Sequence, residues 1–345
     1  MATFDENSQA KRPRLDKGKV IGTHNGTFHC DEALAVFLLK QTAIYHDAAV
    51  VRTRQQSVLE TCDIVVDVGA VYDEGKQRFD HHQREFSEVF GHGFTTKLSS
   101  AGLIYKHFGK EIIANRLQLP SNDSKIDTLW LKIYKEFIES IDGIDNGISQ
   151  YSTDQPPKYR VKSDLSSRVS FLNPSWNEAS DGGKMDVLFR KASELTGNEF
   201  VDRLDYYGKA WLPARDLVAK AILERSAVDP SEQIVLFDQF VPWKEHLFEL
   251  EAEQDIKVSR PIYVIYPDEL AGAWRIQAVP ISSDSFESRK ALPTAWRGLR
   301  DESLSEIAGI PGCIFVHSSG FIGGNASKEG AMALARKALT ATDGS

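Results

Sequence analysis

Apolar positions along the chain arrive first as short unbroken runs and later at helical spacing. Lys19-Val20-Ile21-Gly22-Thr23, Val50-Val51-Arg52-Thr53 and Asp63-Ile64-Val65-Val66-Asp67-Val68 do not alternate. That is the pattern of strands covered on both faces. Between the first two, Ala33, Leu34, Val36, Phe37 and Leu38 give apolar faces to a helix from Asp31 to about Gln41. Asp31 and Glu32 suit its first turn, where the helix dipole is positive. Strands that alternate with helices predict the α/β class with a mainly parallel sheet. Helical spacing returns near 99–109 and 126–140, and again over 184–227 with breaks near Gly197 and Pro213. Strand patterns recur at Ile234–Phe237, Ile262–Tyr266, Trp274–Val279 and Cys313–His317, and a helix from about Ser327 to Leu339 closes the chain. The segment 150–183 holds Pro156-Pro157, Asn173-Pro174 and Asp181-Gly182-Gly183 and reads as a surface loop or lid.

With 345 residues, 41% hydrophobic and 26% charged, the chain has material for two soluble domains. A disordered basic tail is expected over 1–18 and an α/β domain over 19–200. Linker helices and a smaller α/β domain are expected over 201–345, with the boundary inside 185–232 and a cleft between the domains. No apolar run approaches the ~20 residues of a membrane span, and the N-terminus shows no apolar signal block. A net charge of -8 excludes a global field that draws nucleic acid, so any such binding needs a local basic groove. Cys30, Cys62 and Cys313 are scattered, which argues for a reducing, intracellular setting. Lys11-Arg12-Pro13-Arg14 reads either as a nuclear localisation signal or as a solvated tail, and Asp5 and Glu6 argue against a mitochondrial presequence.

The densest chemistry is Thr23-His24-Asn25-Gly26-Thr27-Phe28-His29-Cys30-Asp31-Glu32, where a strand ends and a helix starts. Ligands of open α/β sheets bind outside the carboxyl ends of strands. His24, His29 and Asp31 can converge there on one cation, and imidazole with carboxylate suits Mn, Fe, Co or Zn. Asp67 interrupts an apolar strand near its end, where a carboxylate without a partner would be costly to bury. Asp80-His81-His82 is a third element. Adjacent histidines on an extended chain point to opposite sides, one toward metal and one toward substrate. Ile141-Asp142-Gly143-Ile144-Asp145-Asn146-Gly147 offers two candidates for a fourth carboxylate, with Asp145 preferred. Cys30 reads as a small packing residue.

The order His…His-x-Asp, strand–Asp, Asp-His-His resembles the DHH phosphoesterase superfamily. More closely, THNGTFHCDE, VVDVG, RFDHHQ, IDGIDNG and FIGGNASKEGA resemble the melanocyte-proliferating-gene family, over nearly the whole chain from about residue 18. That family was long labelled a metal-dependent protein hydrolase and is regarded as a 3′–5′ RNA exonuclease of nucleus and mitochondria. The resemblance implies an N-terminal DHH-type catalytic domain holding two Mn2+ ions, with Mg2+, Co2+ or Zn2+ as alternatives. It implies His24, His29 and Asp67 around one ion and Asp31, Asp67 and Asp145 around the other. His81 and His82 would complete coordination or hold the scissile phosphate, with Asp80 supporting them. Many superfamily members have Asp-x-Asp where this chain has His29-Cys30-Asp31.

The resemblance further implies a C-terminal DHH-associated domain that binds substrate, here single-stranded RNA at its 3′ end. Gly323-Gly324-Asn325 stands where that domain carries Gly-Gly-His, and precedes a helix N-terminus suited to phosphate. His317 ends the preceding strand. Arg275, Arg289, Lys290, Arg297 and Arg300 supply positive charge, and Arg275 and Arg297 are the phosphate ligands expected. Trp243, Trp274 and Trp296 read as core before they read as base-stacking rings. The expected reaction is metal-dependent phosphodiester hydrolysis by a metal-activated water. The alternatives are a phosphohydrolase acting on pyrophosphate or a cyclic dinucleotide, and a non-catalytic RNA- or nucleotide-binding regulator.

Overall fold

The computed structural model describes residues 18–151, 155, 158–268 and 272–342. The tail 1–17 with Lys11–Arg14, and Pro156-Pro157, lie outside the described residues. The chain forms two compact units, one through Tyr207 and one from Gly208 onward. Among the described residues no helix is long and apolar enough to cross a membrane.

The first unit is built on a five-stranded sheet with β1 (Val20–Thr23), β2 (Ala49–Arg52), β3 (Ile64–Val66), β4 (Tyr72–Asp73) and β5 (Arg78–Phe79), in the order β2-β1-β3-β5-β4. The pairs β2-β1, β1-β3 and β3-β5 are parallel, and only β4 runs antiparallel. The sheet is therefore mainly parallel, as the unbroken apolar runs predict. β3 is shorter than expected because Asp67 leaves the strand with φ +57. Helix α1 (Cys30–Leu39) is buried almost all round, as a helix without a polar face must be. α2 (Gln56–Leu59) bridges β2 to β3. A hairpin of β6 (Val89–Gly91) and β7 (Phe94–Lys97) leads into α3 (Ser100–Leu117).

Next come α4 (Ser124–Ile133) and α5 (Glu139–Asp145), joined by a π-helical turn over Tyr134–Ile138. A π turn inserts a residue and re-aims the turns after it. α6 (Leu165–Ser170) lies inside the segment expected to be loop. α7 (Gly182–Tyr206) starts on the expected Asp-Gly-Gly turn, with Asp181 accepting the Lys184 amide at 2.8 Å as its cap. The break expected at Gly197 does not occur. Gly197 lies against the Phe37 ring of α1, and any Cβ there would fall within that ring. The glycine is a packing site, and the real interruption is a π turn at Tyr207–Trp211, followed by Pro213 in the first turn of the next helix.

The second unit contains α8 (Leu212–Val228), β8 (Ile234–Leu236), α9 (Lys244–Glu253), β9 (Tyr263–Pro267), β10 (Trp274–Ala278), α10 (Asp301–Ala308), β11 (Cys313–Val316), β12 (Ile322–Asn325) and α11 (Lys328–Thr340). Its sheet runs β11-β12-β10-β9-β8, antiparallel except for β8-β9. One face packs on α10 and α11 through Ile265, Ile276, Leu304 and Leu334. The other packs on α8 and α9 through Val264, Tyr266, Val218 and Leu247. Trp243 and Trp296 are buried in these two cores, and Trp274 packs at the edge of one.

Gly197→Ala tests the α1–α7 seam. In an open helix the change gains ~1 kcal/mol of propensity. Here overpacking outweighs it, and a net loss of about 1–3 kcal/mol is expected in urea unfolding. An unchanged or raised midpoint would remove the packing role assigned to Gly197.

Candidate metal centre

Three adjacent parallel strands, β1, β3 and β5, end at one edge of the sheet, and the residues that follow them lie side by side there. His24 follows β1, Asp67 follows β3 and Asp80 follows β5. Neighbouring strands lie about 4.8 Å apart, so groups on successive strand ends fall within bonding reach of a single ion or pair of ions. Asp67 reaches this position through its left-handed backbone, which continues at Gly69 and Ala70 with φ +101 and +53. Its amide still donates to the Phe79 carbonyl at 3.1 Å, so the kink begins only after the ladder is closed.

Around Asp67 the donor groups fall into three overlapping sets, His24–His29–Glu32–Asp67, Asp67–His81–His82 and Asp31–His81–Asp145. His24 is buried, with Nε2 3.0 Å from Glu32 Oε1 and 3.3 Å from Asp67 Oδ2. Its Nδ1 donates to the Asn25 carbonyl at 3.1 Å. That bond turns Nε2 toward the carboxylates, and the proton Nε2 shares with them is the one a metal would displace. His81 Nε2 lies 3.3 Å from Asp67 Oδ1 and 3.2 Å from Asp145 Oδ2. Asp31 is buried at the start of α1. One of its oxygens accepts the Ser100 hydroxyl at 2.7 Å and amide at 3.3 Å, at the N-terminus of α3. Its other oxygen, Asp67 Oδ1 and both ring nitrogens of His81 are buried without a hydrogen-bond partner.

Asp80 holds the loops rather than the centre. Its Oδ1 accepts the His82 amide at 3.0 Å and ring Nδ1 at 2.8 Å, and its Oδ2 accepts the Ala70 amide at 2.6 Å. Adjacent histidines were expected on opposite sides of an extended chain. Residues 80–83 are not a strand, and the two rings sit 4.3 Å apart, His81 buried and His82 exposed. The two aspartates of the fourth motif separate clearly. Asp142 accepts Ser99 N and Oγ, Gly102 N and Tyr134 Oη at 2.7–3.1 Å, so it is a fully bonded anchor for α3. Asp145, one helical turn on, faces His81.

Glu32 is the member that sequence reasoning missed. It was assigned only to the helix first turn, and it does accept the His29 amide at 2.9 Å, as a residue of that type does three places into a helix. Its burial beside a buried histidine is what marks it as part of the centre. The charges in this space oppose one another. Burial and neighbouring carboxylates push Glu32, Asp31 and Asp145 upward. Asp67 is held low, burial being outweighed by the imidazoles of His24 and His81, each facing one of its oxygens at 3.3 Å. Burial pulls His24 down, but Asp67 and Glu32 overcome it and lift the imidazole to about 10.

The residues expected to bind substrate in the second unit are mostly engaged within the fold. Gly323-Gly324-Asn325, expected as a substrate motif ahead of a helix N-terminus, is a central strand, β12, paired on both sides. Asn325 is buried. Its amide donates to the Pro311 carbonyl at 2.9 Å, and its oxygen accepts the Ser327 amide at 3.0 Å. Arg275 pairs with Asp268 and lies over Gly324 and the Phe315 ring, and a Cβ at 324 would strike its guanidinium. Its Nη1 has no hydrogen-bond partner. Arg297 donates to the Leu292 carbonyl at 2.9 Å, Arg289 pairs with Glu251 at 2.6 Å, and Lys290 donates to the Leu339 carbonyl at 2.6 Å. His317 is exposed, hydrogen-bonded to Ser319.

Two outcomes follow from the charge balance. Saturating Mn2+ raises the melting temperature, a stabilisation of about 2.7 kcal/mol at a hundredfold excess over Kd, and Asp67→Asn or Asp145→Asn abolishes most of the rise. Asp142→Asn instead lowers the melting temperature of the metal-free protein. Equal behaviour of the 142 and 145 variants would undo the assignment. The second outcome concerns pH. His24, Glu32 and Asp145 hold protons more tightly than usual, and a metal must displace them. Apparent Mn2+ affinity therefore rises with pH from about 6 to 9, by up to roughly tenfold per unit for each proton released. A flat titration by calorimetry would contradict this.

Comparison with known proteins bears on the whole chain. Residues 20–339 match a family described as Uncharacterised protein family (UPF0160), the MYG1 exonuclease model. A MYG1 protein of Dictyostelium discoideum is 50% identical over 92% of this chain and 96% of its own length. A MYG1 exonuclease of Homo sapiens is 51% identical over 95% of this chain and 88% of its own. A MYG1 protein of Schizosaccharomyces pombe is 50% identical over 92% and 97%. A manganese-bound RecJ exonuclease aligns with 95% of this chain and 92% of its own at 14% identity, with a TM-score of 0.22, too low to bear on the fold or the site. With half its residues shared across nearly the full length of such relatives, the chain belongs to the MYG1 family.

Proposed function

We propose that this chain hydrolyses phosphodiesters with the help of two divalent cations, Mn2+ before Mg2+, Co2+ or Zn2+, and removes nucleotides from the 3′ end of single-stranded RNA. The observation that carries the reading is the sharing of Asp67 and His81 among three donor sets. A carboxylate with donors on both sides is what a pair of cations needs. The oxygens of Asp31 and Asp67 that accept no hydrogen bond, and His81, whose Nε2 meets only carboxylate oxygens at 3.2 and 3.3 Å, fit that use, because buried polar atoms without hydrogen bonds are costly unless something binds them. Mixed imidazole and carboxylate donors favour a borderline metal. His24, His29, Glu32 and Asp67 would hold one ion; Asp31, Asp67, His81 and Asp145 the other. When bound, such a pair supplies a water of lowered pKa and neutralises charge on the phosphoryl oxygens.

The protein's own groups do the orienting. Asp80 fixes the ring of His82, which stays exposed beside His81, where it can donate a hydrogen bond to a phosphoryl oxygen. Ser100 holds one oxygen of Asp31 and leaves the other free. In the second unit, Arg275 and the exposed His317 are the groups we assign to the substrate phosphate, with Gly324 making room for the guanidinium. Asn325 serves the strand and α11 rather than substrate. The relatives called MYG1 exonuclease in Homo sapiens and Mus musculus support a nucleic-acid substrate. RNA, the 3′ polarity and a nuclear or mitochondrial setting rest on the family resemblance.

The test is hydrolysis of a 5′-labelled RNA oligonucleotide with Mn2+. A descending ladder is expected, absent in Asp67→Asn and in the His81→Ala, His82→Ala pair. Asp80→Asn should lose about 10–100-fold, the usual cost of removing a group that orients a ligand. An oligonucleotide left intact with every metal, beside hydrolysed pyrophosphate or cyclic dinucleotide, would replace the RNA reading with the small-molecule one. No hydrolysis of any of them would leave a binding protein.

A further inference from the structure

The segment 158–176 is tied to the metal centre yet turns its largest side chains into water. Asn173 clasps the backbone of Phe28 at two points, accepting its amide at 3.1 Å and donating to its carbonyl at 2.9 Å. α6 packs on α1, which places Ser166 beside the Cys30 thiol. These two ties fall on either side of His29. Asp164 caps α6, accepting the Ser167 amide at 2.8 Å and hydroxyl at 2.7 Å, so its charge is engaged.

A strap held this firmly has no mechanical reason to carry exposed rings, yet Phe171 is 79% and Trp176 97% exposed. They stand two and three residues from Asn173. At 3.8 Å per Cα step, both lie within roughly 11 Å of the clasp beside His29. Just before α6, Lys158-Tyr159-Arg160-Val161-Lys162 belongs to no helix or strand and is exposed throughout. It contains three cations and no acid, in a chain whose net charge is -8. An apolar partner docking here would have to strip water from those cations. A strand of alternating charge and ring satisfies both kinds of group at once. Cations meet phosphates, and rings take bases by stacking, which needs no particular base.

We propose that residues 158–176 are the platform along which single-stranded nucleic acid approaches the metal centre, with bases on Tyr159, Phe171 and Trp176 and phosphates along Lys158, Arg160 and Lys162. The inference takes its substrate class from the hydrolase reading above. It adds where the strand lies and why the enzyme would tolerate any sequence.

Binding in chelator, where nothing is cleaved, isolates the platform. Fluorescence anisotropy is measured with a short labelled RNA and with an abasic strand carrying the same phosphates. The wild type should prefer the base-bearing strand by about tenfold or more. Phe171→Ala with Trp176→Ala should bring that ratio close to one while the abasic strand binds as before. Lys158→Ala, Arg160→Ala and Lys162→Ala together should weaken both strands and reduce the salt slope by about 0.7 per cation. A merely structural role for the rings would not discriminate bases from their absence. If the double ring variant keeps the wild-type ratio, the platform is wrong. Hydrolysis of the same RNA by the wild type with Mn2+ is followed in parallel. Cleavage with an unaltered ratio sinks the platform alone. A collapsed ratio without cleavage sustains the platform and sinks the hydrolase reading.

Discussion

Everything in the first unit is arranged around one unfavourable burial, the carboxylate of Asp67 among Asp31, Glu32, Asp145 and two histidines. Four carboxyl groups inside a protein repel one another and lose their hydration, and histidines can offset only part of that. The fold does not relieve the conflict by spreading the groups apart. It brings three strand ends to one edge, bends the chain into the left-handed region at Asp67, and leaves oxygens on Asp31 and Asp67 with no hydrogen bond. A cluster like that is stable only if something positive joins it. The raised affinity of its histidines for protons is the same demand, met by protons while no metal competes.

The surroundings show how the demand is held in place. The N-terminus of α3 is aimed at two acids, with Ser100 on Asp31 and Ser99 with Gly102 on Asp142. The positive end of an 18-residue helix favours both. Gly102 is required there because a Cβ would collide with the Asp142 carboxyl. Tyr134 completes the shell of Asp142 from the π turn, and burial still lifts that acid to about 7. Asp142 thus acts as a hinge pin between α3 and α5, and the turn after it presents Asp145 to His81.

Much of this was legible because strand ends have a sequence signature. Apolar runs that stop at His24 and Asp67 announce where a parallel sheet places its ligands, and the tripeptide at 80–82 follows a third such stop. The short strands β4 to β7 carried too few residues to show a period. Glu32 was hidden because an acid in a first turn is ordinary. Only the tertiary fold shows that it is buried against His24. Asp142 and Asp145 differ by one helical turn, and no local pattern tells an anchor from a ligand. In the second unit, two glycines in a row read as a phosphate-binding motif. They lie inside a paired strand, where Phe315 and Val316 crowd Gly323 and Arg275 crowds Gly324, so that neither has room for a Cβ. Gly197 misled for the same reason, its partner being a ring more than a hundred residues away in sequence.

The exchange of an imidazole for a carboxylate at His29 can now be weighed physically. Replacing an acid by a neutral ligand would thin the negative charge that holds a dication, and with it the affinity. The set around His24 does not lose that charge. Glu32 lies three residues on, on the same first turn of α1, with an oxygen 3.0 Å from His24 Nε2, and Asp67 closes the other side at 3.3 Å. Two carboxylates and two imidazoles therefore surround this position. That is a donor set softer than carboxylate alone and still anionic enough to balance a divalent ion. On the proposed reading, the departure at residue 29 changes the softness of the donor set and not its capacity to balance a dication. Without a metal, the buried acid of the helix first turn is matched by the protonated imidazole of His24 at 3.0 Å.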